Sequence, residues 1–332
     1  MASNCSVNKE PIAIVGLSCR LPGAETPDAF WHLLRDEKDA ISQVPPSRWD
    51  IEDYYDSDPS APDKMITRWG GFLPDIDRFD PQFFNLSPRE AMTMDPQQRL
   101  LLETSWEALE NANIVPQQLK GKPVGVFIGM STHDYSALTW GKTRNEPHAA
   151  TGIANCVAAN RLSYFFNWTG PSLAIDTACS SSLVAIHLAC QSLRNQETEL
   201  ALVGGVNLIL APSSTVTFSK AGLMAKDGRC KSFDAAADGY VRSEGAGVVL
   251  LKPLANAIAQ GDHIHALIRG SAVNQNGTSN GLSAPNPVAQ EAVLNAAYRD
   301  ANIQPSQIQY VEAQGTGSKM GDYMELTALG KV

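Results

Sequence analysis

"SLAIDTACSSSLVAIHLACQSLR" (residues 172–194) joins an apolar strand-like run to an apolar helix-like run, with Cys179 and three serines at the junction. "SLAID" (172–176) reads as a strand. From Ser180 onward Leu183, Val184, Ala185, Ile186, Leu188, Ala189 and Leu193 make a helix that is apolar nearly all round. Such a helix is expected to be buried, with its N-terminal end in a low-dielectric pocket. Cys179 would stand at that end, where unpaired backbone N–H groups and the macrodipole favour an anion and draw a thiol toward thiolate. A strand to aim the sulfur, a helix to stabilise it and small neighbours (Thr177, Ala178, Ser180) to admit a substrate are what nucleophilic catalysis through a thioester requires. The same spacing also suits a buried cysteine acting as a small hydrophobe, which is the reading given to Cys19, Cys156, Cys190 and Cys230. His187, eight residues on, is about 12 Å along the axis at ~1.5 Å per residue, too far to serve Cys179 as a base. It reads as a core histidine. Spacing singles out none of His133, His148, His263 and His265.

Outward from the junction the chain alternates strands and helices, the order of an α/β protein. Strands are expected at "PIAIVGLSC" (11–19), "KPVGVFIGM" (122–130), "ELALVGGVNLIL" (199–210), "GAGVVLLKP" (245–253), "HIHALIRGSAV" (263–273) and "IQYVEA" (308–313). A helix capped by Thr26 with Pro27 in its first turn should carry the stripe Phe30, Leu33, Leu34. At 95–113 Asp95 reads as an N-cap, Pro96 as the first helical residue and Gln98 as the partner that closes a capping box. Leu102, Trp106 and Leu109 there share one face. Further helices are expected over 153–166 and 287–303, and one begins at residue 321. Residues 42–90, rich in Pro, Asp, Ser and aromatics, read as a surface excursion held by Trp49, Tyr54, Tyr55, Trp69 and Phe72. The strand at 263–273 looks like the first of a second lobe.

Composition narrows the function classes. The chain has 332 residues, 43% hydrophobic and 18% charged, as in a soluble globular protein of about two lobes. Its net charge of −9 comes with no Lys/Arg run, so no nucleic-acid partner is expected. Six cysteines include no CxxC pair, no His spacing suits zinc, and no metal is expected. The N-terminus lacks a charged stretch before an apolar one, and the longest apolar run is too short for a bilayer. A cytoplasmic protein without a membrane partner is the default expectation.

"DTACSSSL" resembles the nucleophile motif of the β-ketoacyl synthases, and more narrowly that of the ketosynthase domains of modular type I polyketide synthases. "EPIAIVGLSCRLPGA", "FFNLSPREAMTMDPQQRLLLETSWEALENA", "KDGRCKSFDAAADGYVRSEGAGVVLLKPL" and "SAVNQNGTSNGLSAPNPVAQ" resemble further signature blocks of that family, in order and over residues 10–332. The resemblance implies a thiolase-like layered αβαβα fold with a complete N-terminal half and a truncated C-terminal half. Its parts would be a tail (1–10), an N-terminal lobe (11–260) and a partial C-terminal lobe (261–332). It implies that Cys179 accepts an acyl chain from the phosphopantetheine of an acyl carrier protein for decarboxylative Claisen condensation with a malonyl-type extender. No cofactor would belong to the chain itself, and the complete protein would be a homodimer.

"EAQGTGS" (312–318) departs from the "EAHGTGT" that it resembles, since Gln314 stands at the position of the family's first histidine. Gln can donate a hydrogen bond to a developing oxyanion but cannot take or give up a proton near neutral pH. Ser318 stands for a threonine and Tyr323 for a proline, whereas Thr316, Asp322 and Glu325 match. Thr316 and Ser318 are expected to hydrogen-bond the pantetheine arm. The sequence stops 18 residues after Gln314, before the family's second-histidine block and the Gly-rich loop expected to supply half of the oxyanion hole. An unpaired sheet edge and an exposed apolar face are then expected. The alternative function is a non-elongating or inactive ketosynthase that binds carrier protein or only transfers acyl groups. "QGTGSKMG" also scans as a glycine-rich dinucleotide loop, without the βαβ unit such a loop needs.

Overall fold

The computed structural model describes residues 9–139, 141 and 146–332. Eight strands occur among these: β1 (Ile12–Arg20), β2 (Ile41–Gln43), β3 (Trp69–Gly71), β4 (Gly125–Gly129), β5 (Ser172–Ile175), β6 (Ala201–Asn207), β7 (Gly245–Pro253) and β8 (Ala266–Ile268). Six form one sheet in the order β5-β4-β6-β7-β1-β8. β4 runs parallel to β5 and β6, whereas β7 is antiparallel to β6 and β1.

Continuous apolar strands follow from burial on both faces, because successive side chains point to opposite sides. Ala13, Val126, Ile128, Leu202 and Leu250 enter the core on one face, with helices Pro96–Asn111 and Asn155–Phe166. Ile12, Phe127, Val203 and Leu251 enter the core on the other, with Ala185, Ala189, Cys190 and Leu193 of helix Ser181–Arg194. At ~25 cal/mol per Å² of apolar surface, these two layers supply the main stabilisation of the sheet.

Local signals fare unevenly. Thr26 caps helix Pro27–Arg35 by accepting from Ala29 N at 3.1 Å, but that helix buries no residue, and Phe30 and Leu34 of its stripe are exposed. Asp95 caps Pro96–Asn111 by accepting from Gln97 N at 2.8 Å. The expected capping box does not form. Asp95 N–H donates to Gly152 O, and the Gln98 amide is turned away to Gly152 O (3.0 Å) and to the Arg161 guanidinium (2.9 Å). A long-range partner has displaced the local one.

Residues 42–90 hold the β2–β3 pair, and Trp49 and Phe72 close a third small core with Val44, Met65 and Ile209. Tyr55 lies under the Arg68 guanidinium, 3.9 Å from ring centre to carbon. "HIHALIRGSAV" contributes a strand, yet Ala266–Ile268 pairs antiparallel with β1 and extends the first sheet instead of opening another. "IQYVEA" forms no strand: among the described residues no neighbour pairs with it, and Tyr310 and Val311 are exposed. A strand needs a partner for its N–H and C=O groups, which hydrophobic pattern alone does not provide.

Candidate active site

Three parallel strands end side by side, and a crevice opens beyond their carboxyl ends, where α/β sheets bind ligands. The turns after β4 and β5 and the last residues of β6 reach it. Its volume is about 1000 Å³, and its walls include Met130 to Asp134 after β4, Asp176, Ala178 and Cys179 after β5, and Val206 and Asn207 at the end of β6. The segment Tyr240 to Gly247 lines the remaining side.

Cys179 lies in a single 3₁₀ turn, Ala178–Ser180, that feeds helix Ser181–Arg194. Ala178 takes φ +53°, a left-handed conformation that costs a non-glycine residue ~1 kcal/mol or more. Hydrogen bonds hold it there. Ala178 N donates to Asp176 Oδ1 (3.0 Å), Thr177 N to Ser181 Oγ (2.9 Å) and Ser181 Oγ to Ala178 O (2.6 Å). Backbone strain retained at one residue by its neighbours is a feature of functional turns. Underneath, Gly129 lets the helix end approach the sheet: a Cβ there would sit 2.6 Å from Ser182 N and 2.8 Å from Ser181 C. Sequence reasoning overlooked Gly129, although it stands where the apolar run 122–130 reaches its end, and Gly205, which lies inside the run 199–210.

The expectation of a helix buried all round is corrected. Helix Ser181–Arg194 buries one face, while Leu183 is 70% exposed and Cys179 is exposed at the cleft. Its outward side meets no covering layer among the described residues. His187 is half-buried, its Nδ1 2.8 Å from Ser271 Oγ, and burial lowers its pKa. Burial pushes the Cys190 thiol up to about 11.

Charged groups brace the walls. Asp134 accepts from Leu210 N and Ala211 N, each at 3.1 Å. Glu244, buried, accepts from Leu73 N (2.7 Å), Ile209 N (2.9 Å) and Arg48 (3.0 Å). Burial raises the pKa of the Tyr240 hydroxyl; Arg242 opposes that rise, and the thiols of Cys179 and Cys230 add to it. Tyr240 and Cys179 line the same cleft.

Gln314, Thr316 and Ser318 are not among the residues that line this cleft. Their loop lies against the segment leading into it, where Gly239 N donates to Gly317 O at 2.9 Å. Glu325 accepts from Gln314 N (2.7 Å) and Gly315 N (2.9 Å), and Asp322 from Gly317 N (3.1 Å) and Phe233 N (2.7 Å). The Gln314 side chain is exposed, and Thr316 Oγ1 and Ser318 Oγ face each other at 2.9 Å.

A cysteine in a strained turn at the head of a core-packed helix thus opens to a cleft at the strand ends of an α/β protein. Its family follows from comparison with known proteins. The family model described as β-ketoacyl synthase, N-terminal domain, matches residues 9–257, and that of the C-terminal domain matches residues 265–332. The chain belongs to the β-ketoacyl synthase family, a family of acyltransferases. It is 54% identical over 325 residues to one protein of the phenolphthiocerol/phthiocerol polyketide synthase of Mycobacterium tuberculosis, covering 97% of this chain and 17% of that protein. Another protein of the same synthase, from the same organism, is 51% identical over 322 residues, covering 96% of this chain and 18% of that protein. The oxazolomycin ketosynthase domain of Streptomyces albus superposes with a TM-score of 0.93 at 42% identity, over 97% of this chain and 56% of that one. The ketosynthase from module 6 of the bacillaene synthase of Bacillus subtilis superposes at 0.91 with 43% identity, over 97% and 54%. The chain thus has the mixed α/β fold of polyketide synthase ketosynthase domains, and it spans about a fifth of the length of the curated relatives. Among the described residues no helix is long and apolar enough to cross a membrane.

Proposed function

We propose that Cys179 is the nucleophile of a β-ketoacyl-[acyl-carrier-protein] synthase. Its sulfur attacks the carbonyl of an acyl chain carried on the phosphopantetheine of a carrier protein. A carbon–sulfur bond to Cys179 forms, the bond to the pantetheine sulfur breaks, and the pantetheine leaves as a thiol with the proton that Cys179 gives up. A malonyl-type extender on a carrier then loses carbon dioxide. The electron pair so released attacks the acyl-Cys179 carbonyl, making a carbon–carbon bond and returning the thiol. The observation that carries the reading is the exposed Cys179 at the head of helix Ser181–Arg194, on a cleft bounded by three strand ends. Thr316 and Ser318 serve as pantetheine contacts and Gln314 as a weakened stand-in for a histidine, in the layered thiolase-like arrangement of a homodimer.

A second reading is favoured by one observation: Gln314 cannot exchange a proton near neutrality, and it is absent from the cleft wall. Acyl transfer then proceeds without condensation. Mass spectrometry of the protein incubated with acyl carrier and malonyl carrier separates the two. A β-keto product with released carbon dioxide supports condensation. An acyl adduct on Cys179 without carbon dioxide supports transfer alone, and Gln314→His is then expected to raise carbon dioxide release at least tenfold, the lower end of general acid/base contributions being about 10²-fold. Absence of any adduct on Cys179 overturns both.

A further inference from the structure

The loop after β4 enters the cleft wall between two fixed points. At its start Met130 N donates to Ile175 O at 3.1 Å, and at its end Asp134 accepts from two backbone amides. Between them lie Ser131, Thr132 and His133, all on the cleft. Gln97 reaches this stretch from the first turn of helix Pro96–Asn111. Its Oε1 accepts from the Thr132 hydroxyl at 2.8 Å, and its Nε2 stands 3.5 Å from Thr132 O. Gln97 is 1% exposed and is not among the residues that line the cleft, so it acts on the wall from behind.

Asp95 sets which way round the Gln97 amide lies. It accepts from Gln97 N through Oδ1 at 2.8 Å and from Gln97 Nε2 through Oδ2 at 3.2 Å. Above its raised pKa of about 6 it is a carboxylate, which accepts hydrogen bonds and donates none. It therefore claims the NH2 end of the amide and leaves the oxygen for Thr132. Carboxylate, amide and hydroxyl form one directed chain, and a buried chain in which every member is paired holds its geometry. Gln98, beside it, donates to Gly152 O (3.0 Å) and Thr151 O (3.2 Å) in the turn before helix Asn155–Phe166. One helix head thus grips two segments, which meet where Asn155 Nδ2 comes within 3.5 Å of His133 Nε2.

We infer that Gln97 is a positioning residue for the reaction at Cys179: from behind the cleft wall it fixes Thr132, and with it the loop after β4 against which the acyl thioester is aligned. The inference rests on the acyl-enzyme reading of Cys179 and adds a residue that touches neither the sulfur nor the acyl group. A thioester that fills the cleft depends on its wall, and misplacement by about 1 Å can cost ~10²-fold in rate. Iodoacetamide is small and needs only an open sulfur. The test compares the two reagents on Cys179 in the full chain, by intact mass, with the pantetheine thioester of hexanoate as acyl donor. Gln97→Leu is expected to slow acylation about tenfold and to leave alkylation within about twofold of the unmodified protein. Exchanging carboxylate and amide, Asp95→Asn together with Gln97→Glu, reverses the donor between the two side chains and keeps an acceptor for the Thr132 hydroxyl. This double variant is expected to recover most of the lost acylation rate. Unchanged acylation in Gln97→Leu overturns the inference while leaving the acyl-enzyme reading intact. So does a loss of acylation matched by an equal loss of alkylation, which would mark damage to the turn that carries Cys179. A double variant that folds, as judged by circular dichroism, yet acylates as slowly as Gln97→Leu overturns it too. Should Gln97→Leu fail to fold, Thr132→Val severs the same link from the loop side and carries the same comparison of reagents. Should the thioester fail to acylate the unmodified protein while iodoacetamide alkylates Cys179, the acyl-enzyme reading falls and this inference falls with it.

Discussion

Two thiols eleven residues apart serve the same helix in opposite ways. Cys179 stands in the turn that leads into it, exposed on the cleft, while Cys190 lies within it, fully buried in the core that Phe127 and Val203 of the sheet share with its own helix. The core raises the Cys190 thiol to about 11 by denying its anion water. Exposure thus separates two sulfurs that share one apolar stretch of sequence. The most direct way to break the contrast is alkylation of the native protein with iodoacetamide, followed by peptide mapping. Cys179 is expected to be modified and Cys190 to react only after denaturation. Cys179→Ala is expected to abolish acyl-adduct formation altogether, the largest effect anticipated.

A smaller effect is expected beneath the turn. Gly129→Ala would drive a methyl group against Ser181 and Ser182, so the head of the helix must move. Overpacking of this kind costs ~1–3 kcal/mol, read as a lower denaturation midpoint. Because the displaced backbone carries Cys179, its alkylation rate is expected to change while Cys190 stays protected.

Burial acts on Asp95 as it does on Cys190, which sharpens the comparison with an acid of a different kind. Asp95 is 2% exposed, and burial raises its pKa to about 6 despite the hydrogen bonds from Gln97 that favour the anion. A carboxyl whose pKa is higher folded than unfolded contributes stability below its unfolded value near 4, and this is lost as pH rises through about 6. Stability is therefore expected to fall between pH 4 and pH 7 by an amount on the order of 2 kcal/mol. Asp95→Asn keeps an oxygen to cap the helix and is expected to flatten that part of the profile, measured by urea denaturation across pH.

Much of this architecture is legible in the chain. β1, β4, β6 and β7 appear as apolar runs because both faces of each are covered, and Asp95 and Thr26 announce their helices by local hydrogen bonds. Features that depend on distant partners are not legible. Gln98 forgoes its local box for Gly152, residues 308–313 have strand-like residues and no strand to pair with, and the helix after Cys179 looks buried because its exposed leucines are indistinguishable from core ones. The same limit applies to the site. Cys179 stands out at a strand–helix junction, whereas Gly129 acquires meaning only when β4 is seen beside β5.

The clamp on the loop at 312–318 has an evolutionary corollary. Gly315 and Gly317, with φ of +50° and +71°, and the carboxylates of Glu325 and Asp322 dictate the path of the main chain without help from the side chain of residue 314, which is exposed. The chemistry offered at that position is thereby decoupled from folding. A histidine and a glutamine codon differ by a single base, so the side chain there can pass between imidazole and amide without disturbing the path of the main chain.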